Sequence, residues 1–210
     1  MTTDMTKYGE LTPTDMTTFD AVTKAGDWLP RIDLVDFNSK HCKEGGLKAG
    51  SYVLVTSKDN VTVLGPEVVM FAFAFRPKAM RFVGEEVKSF HDLESAEFKQ
   101  IKADSEVPNS NCKWGPEVLV YIPSLKKYAT IFFGNATGRR ETGKLKGKMP
   151  GLFTFKAQSI KRGKFTWIGP VLSVCSAPAE LPPVIELKEQ IEKHFIAKAE
   201  AVEPANSRER

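Results

Sequence analysis

Nine cations fall between positions 138 and 164: Arg139, Arg140, Lys144, Lys146, Lys148, Lys156, Lys161, Arg162 and Lys164, against the single acid Glu141. Nine against one gives this stretch +8. The whole chain is only +4, so everything outside it sums to −4. Such a concentration of positive charge is the chemistry of a polyanion-binding face. Glycines 138, 143, 147, 151 and 163 alternate with the cations, and glycine lets backbone amides approach a phosphate closely. A smaller basic cluster, Arg76, Lys78 and Arg81, extends the track. Aromatic residues sit beside the charge: Phe153, Phe155, Phe165 and Trp167 occupy alternate positions on either side of the basic turn 161–164, with Lys156 on the opposite face or at the edge. Cations along a groove and flat rings for bases are what sequence-nonspecific binding of single-stranded nucleic acid requires. Two or three stacked bases at about 1–3 kcal/mol each, with four to six phosphate contacts, predict micromolar or tighter affinity and a salt slope of roughly −3 to −4.

Competing readings bear on the same residues. A Lys- and Gly-rich segment is also what a solvated connection looks like. With 14 phenylalanines in 210 residues, most must be core. Phe71, Phe73 and Phe75 are therefore assigned to the core, while Trp167 and one of Phe153 and Phe165 are the stacking candidates. In the binding reading Arg139, Arg140, Lys144, Lys146 and Lys148 form a mobile clamp, and Lys161, Arg162 and Lys164 hold phosphates beside the rings.

Signatures of catalysis are scarce. The chain has no GxGxxG, P-loop, HExxH or GxSxG. His41, His91 and His194 lack neighbours at triad-like spacing, and His41-Cys42 with Cys112 or Cys175 is not a zinc spacing. No metal and no cofactor is expected. Glu67 and Glu117, which both follow Gly-Pro, read as solvated strand ends. A nuclease would need clustered carboxylates, and the basic region holds no DxD or ExK. The ranking is thus a non-enzymatic DNA-binding protein first, then a structural or assembly protein whose basic loop meets a protein partner, then a metal-dependent nuclease.

The elements that must position these residues are mostly strands. With 41% hydrophobic and 27% charged residues, the composition is that of a globular chain. No apolar run reaches membrane-spanning length, the N-terminus carries no secretory pattern, and three cysteines without a CxxC fit a reducing cytoplasm. Segments 52–56 and 61–64 predict a hairpin, 118–122 with 128–133 a second, and 153–160 with 165–175 a third. Segment 67–75, with phenylalanines at period 2, predicts a long strand, 32–37 a first strand, and 38–50 a loop. Helical spacing marks 94–103, a short helix at 19–24, and an amphipathic helix from 184 to 202. Gly-Pro recurs at 65–66, 115–116 and 169–170 and reads as turn chemistry that starts a strand. The expected fold is mainly β (α+β), an OB-like or related β-barrel with insertions and a C-terminal amphipathic helix. Its divisions are an N-terminal extension 1–27, a core domain 28–180 carrying the basic loop 134–151, a helix 181–202 and a tail 203–210.

Several phrases resemble a group of phage-encoded proteins: Gly26-Asp27-Trp28-Leu29-Pro30-Arg31, Phe75-Arg76-Pro77-Lys78-Ala79, Phe132 to Glu141 (FFGNATGRRE), and Trp167-Ile168-Gly169-Pro170 leading to Cys175-Ser176. More loosely, the layout is similar to phage single-stranded DNA-binding proteins built on an OB barrel with a C-terminal helix. That resemblance implies a role in phage-type DNA replication or recombination in the host cytoplasm. It also implies single-stranded DNA or RNA as partner, with a second copy or replication proteins alongside, and no membrane. Such proteins often end in an acidic tail, whereas this chain ends Ser207-Arg208-Glu209-Arg210. The resemblance does not extend to that element.

Overall fold

The computed structural model describes residues 29–175, apart from 58, 59, 85 and 146. The expected helices at 19–24 and 181–202 and the candidate Lys146 lie outside the described residues. Runs rich in valine, phenylalanine and isoleucine, broken by glycine, proline and polar pairs, become nine strands. In chain order these are β1 (Arg31–Leu34), β2 (Tyr52–Ser57), β3 (Asn60–Gly65), β4 (Glu67–Val83), β5 (Glu86–Phe90), β6 (Cys112–Ile122), β7 (Lys127–Phe132), β8 (Gly151–Arg162) and β9 (Phe165–Val174). Three helices join them: α1 (Lys40–Lys43), α2 (Ala96–Asp104) and α3 (Ala136–Thr142). The three expected hairpins form as β2–β3, β6–β7 and β8–β9.

All nine strands belong to one sheet, ordered β3-β2-β1-β7-β6-β4-β8-β9, with β5 paired to β4. Every ladder is antiparallel except β1–β7. The fold is mainly β, as expected, but the sheet is open. Closing a barrel would take a ladder between β3 and β9, and the described residues form none. Instead α3 packs beside β9. Its Glu141 Oε2 accepts the backbone N–H of Leu172 at 3.1 Å, occupying the edge where another strand would pair. The sheet nevertheless curls. Tyr52 and Leu54 of β2 share one buried cluster with Met70 of β4, Val118 and Val120 of β6, Phe153 and Phe155 of β8 and Leu172 of β9.

β4 organises the rest. One edge pairs with β6, and the other pairs with β8 near its start and β5 near its end. Between Ala72 and Ala74 the register slips, so that Ala72 opposes Val120 and Ala74 opposes Leu119. Phe73 is the extra residue of a bulge, and side-chain alternation reverses across it. Val68, Met70 and Ala72 face the main core before it, and Phe75 faces that core after it, while Phe71, Phe73 and Ala74 pack on the other face. The three phenylalanines, which period-2 spacing alone would put on one face, are thus divided between two clusters.

Three other expectations change. The basic loop contains α3, capped by the Asn135 side chain, which accepts from the Gly138 N–H at 2.6 Å. A Cβ at Gly138 would lie 3.0 Å from Phe133 Cβ, so glycine is what lets this helix settle against the chain entering it. The Gly-Pro pairs at 115–116 and 169–170 lie inside β6 and β9 rather than at strand starts, with Pro116 opposite Pro77 and Pro170 opposite Ala157. Segment 38–50, read as loop, carries the single-turn α1.

Candidate nucleic-acid interface

The β8–β9 hairpin projects past the start of the strand it leans on. β4 follows β8 only as far as the Glu67–Lys156 pair, and β8 and β9 then continue together to Arg162–Phe165. That overhang sorts the aromatics. Phe153 opposes Met70 inside the sheet and is 1% exposed, so it is a core residue and not a stacking candidate. Phe155 is buried with it. Phe165, at the projecting end, is 66% exposed.

Gly163 takes φ +60° in the two-residue turn, the left-handed conformation a tight hairpin requires there. The ladder sets the faces. Arg162 opposite Phe165 and Ile160 opposite Trp167 alternate with Lys161 opposite Thr166, so Arg162, Phe165 and Trp167 share one face and Lys161 the other. Lys164 Nζ stands 5.6 Å from the Phe165 ring centroid. Trp167 is half-buried, and its Nε1 donates to Thr137 Oγ1 of α3 at 3.2 Å. One exposed ring, one anchored ring and three exposed cations, Lys161, Arg162 and Lys164, therefore stand at this tip.

The preceding basic segment is pinned rather than a mobile clamp. Leu145 is 2% exposed and belongs to the main core. Arg139 is half-buried and turned onto the protein, not outward as a backbone clamp would be. Its guanidinium stacks 4.4 Å from the Trp114 ring centroid and donates to the carbonyls of Trp114 and Gly134 at 3.0 and 3.1 Å. Lys144 pairs with Glu141 while remaining half exposed. Arg140 points outward, with only a 3.7 Å approach to Glu141, and Lys148 is exposed. Glu141 itself is buried, tied to the Leu172 N–H and to Lys144, so it fastens α3 to β9. Burial first, and the Glu141 carboxylate second, push the Tyr52 hydroxyl pKa upward. In the sequence Glu141 stands out only as the one acid in a basic window. That isolation was the available signal, and Thr137 carried none.

The expected track along Arg76, Lys78 and Arg81 is absorbed internally. The β4–β6 register places Arg76 opposite Glu117. Arg76 Nε and Lys78 Nζ donate to the two Glu117 oxygens at 2.8 and 2.6 Å. Glu117 is 3% exposed, not a solvated strand end. Burial alone would raise its pKa, but Lys78 and Arg76 outweigh that and hold it below the ordinary value. Arg81 lies on the other face of the strand, bonded to Asp104 and Cys112. Glu67, by contrast, is the solvated strand end expected, in an exposed pair with Lys156 at 3.3 Å.

Among the described residues no three His, Cys, Asp or Glu side chains converge as a metal site, and no helix is long and apolar enough to cross a membrane. No known family model, curated protein or solved structure matches this chain.

Proposed function

We propose that the protein binds single-stranded nucleic acid, DNA in the first instance, across the β8–β9 hairpin and the adjoining face of α3. The observation that carries the reading is Phe165: a large apolar ring 66% exposed at a hairpin tip, between Arg162 and Lys164 and on the same face as Trp167. Leaving a phenylalanine in water forgoes about 1.5–3 kcal/mol of burial, a cost that stacking against a base would recover. Arg162, Lys164 and Arg140 supply phosphate contacts, with Lys161, Lys144 and Lys148 within the same basic neighbourhood of the chain. Because Arg76, Lys78, Arg81 and Arg139 have internal partners, about three or four phosphates remain to be neutralised. The salt slope then falls to roughly −2 to −3. No base-reading constellation is invoked, so binding is sequence-nonspecific. The kinship of the curled sheet with OB-like barrels, and a setting in phage-type replication or recombination, belong to this proposal through the resemblance of the sequence.

Fluorescence anisotropy of labelled dT oligomers at two salt concentrations tests it. Binding at low salt should weaken along that slope, and Phe165→Ala should lose roughly tenfold or more in affinity with an unchanged melting temperature. Absence of binding at low salt rejects the proposal. Equal affinity for duplex removes stacking from it, and magnesium-dependent loss of the probe replaces it with a nuclease.

A further inference from the structure

A cleft of about 530 Å³ opens between the β4–β5 hairpin and α2, away from the β8–β9 tip. Its volume suits a small ligand. The inner end is apolar, formed by Ile101 and Phe90. The sheet wall carries two cations side by side, because Arg81 and Lys88 are direct cross-strand partners. Like charges so placed destabilise a sheet unless something anionic meets them. Arg81 is partly answered: Nη2 reaches Asp104 and Nε reaches Cys112 Sγ at 3.4 Å, which leaves Nη1 with no partner among the described residues. Asp104 also accepts from Gln100 Nε2 at 2.7 Å, fixing that corner. Lys88 makes no ion pair with any described residue, and neither does Glu97, which lines the helix wall. The cleft is therefore dipolar, with an apolar floor between a cationic wall and an acidic one.

We propose that this cleft binds a small zwitterion bearing an apolar side chain, of the α-amino acid class. The carboxylate lies toward Lys88 Nζ and Arg81 Nη1, the ammonium toward Glu97, and the side chain on Phe90 and Ile101. A simple anion would meet Glu97 as a repulsive wall, and a simple cation would meet the Arg81–Lys88 pair. Only a ligand with both charges answers both walls.

The test is a titration of the ¹⁵N-labelled full chain with L-phenylalanine, phenylacetate and phenethylamine, followed by amide shifts. A ligand of this size supports a millimolar Kd. Phenylalanine should shift the amides of Val83, Lys88, Ala96 and Gln100, with either half-charged analogue binding about fivefold more weakly. Lys88→Glu and Glu97→Lys, both on exposed side chains, should each weaken phenylalanine by about threefold or more. Ala96→Trp, which fills the cleft from its rim, should abolish binding while the rest of the spectrum stays folded. Analogues binding as tightly as phenylalanine, shifts scattered over the surface, or affinity unchanged in the charge variants would each overturn the proposal.

Discussion

Glu117 and His91 set how this protein meets acid. Both lie against Arg76 and Lys78, and both have pKa values below their ordinary ones, for different reasons. His91 is lowered first by burial and then by Arg76; its Nδ1–H donates to the Pro77 carbonyl at 3.0 Å, which fixes a neutral tautomer. Glu117 is lowered because its two cations outweigh burial. In both cases the unfolded chain takes up protons at a higher pH than the folded one, so stability is lost as pH falls. The loss should come in two stages. The first begins below the ordinary histidine value of 6.5, and the second below the ordinary glutamate value of 4.5. Urea midpoints measured from pH 8 to pH 3 should show both stages, and His91→Gln should remove the first and leave the second. A midpoint flat between pH 7 and pH 5 in the parent chain would contradict this account.

At the scale of elements, α3 divides its neighbouring arginines between two jobs. Arg139 holds the helix to β6 through the Trp114 ring and two carbonyls, whereas Arg140 faces solvent. Arg139→Ala should cost about 1–3 kcal/mol, a fall of roughly 3–8 °C in melting temperature for a chain of this size. Arg140→Ala should leave the melt unchanged and weaken binding to a dT oligomer. Calorimetry with anisotropy on the two variants separates the roles, and identical behaviour would show that they are not divided. No sequence pattern distinguishes these adjacent arginines, because the difference lies in Trp114, 25 residues away. The hairpins were legible for the opposite reason: their partners are neighbours in the chain, separated by turn residues. The Glu117 cluster was not, since its members stand 41 and 39 residues apart and meet only through the β4–β6 ladder. α3 stayed hidden because threonine, glycine and asparagine dominate its first turns. The split between Phe153 and Phe165 depends on where β4 stops following β8, a register fact with no local trace.

Across the whole molecule, β4 is the strand that most of these features share. It lines the main core, supplies both partners of Glu117, flanks the strand that leads to the hairpin tip, and forms one wall of the cleft. The residue that lets one strand do all this is Phe73, the bulge. It acts as a phase marker in a two-letter, in-or-out alphabet: upstream the even positions read inward, downstream the odd ones. Deleting that single residue would merely close the ladder, with Ala74 following Ala72, Phe75 still inward and Arg76 and Lys78 still outward. One residue added after Ala74 would instead be a frameshift in three dimensions, turning Arg76 and Lys78 toward the interior and Phe75 and Ala79 toward the outside with every residue identity unchanged. Insertion of an alanine between Ala74 and Phe75 should therefore abolish cooperative unfolding by circular dichroism, whereas Phe73→Leu, which keeps the count, should still fold.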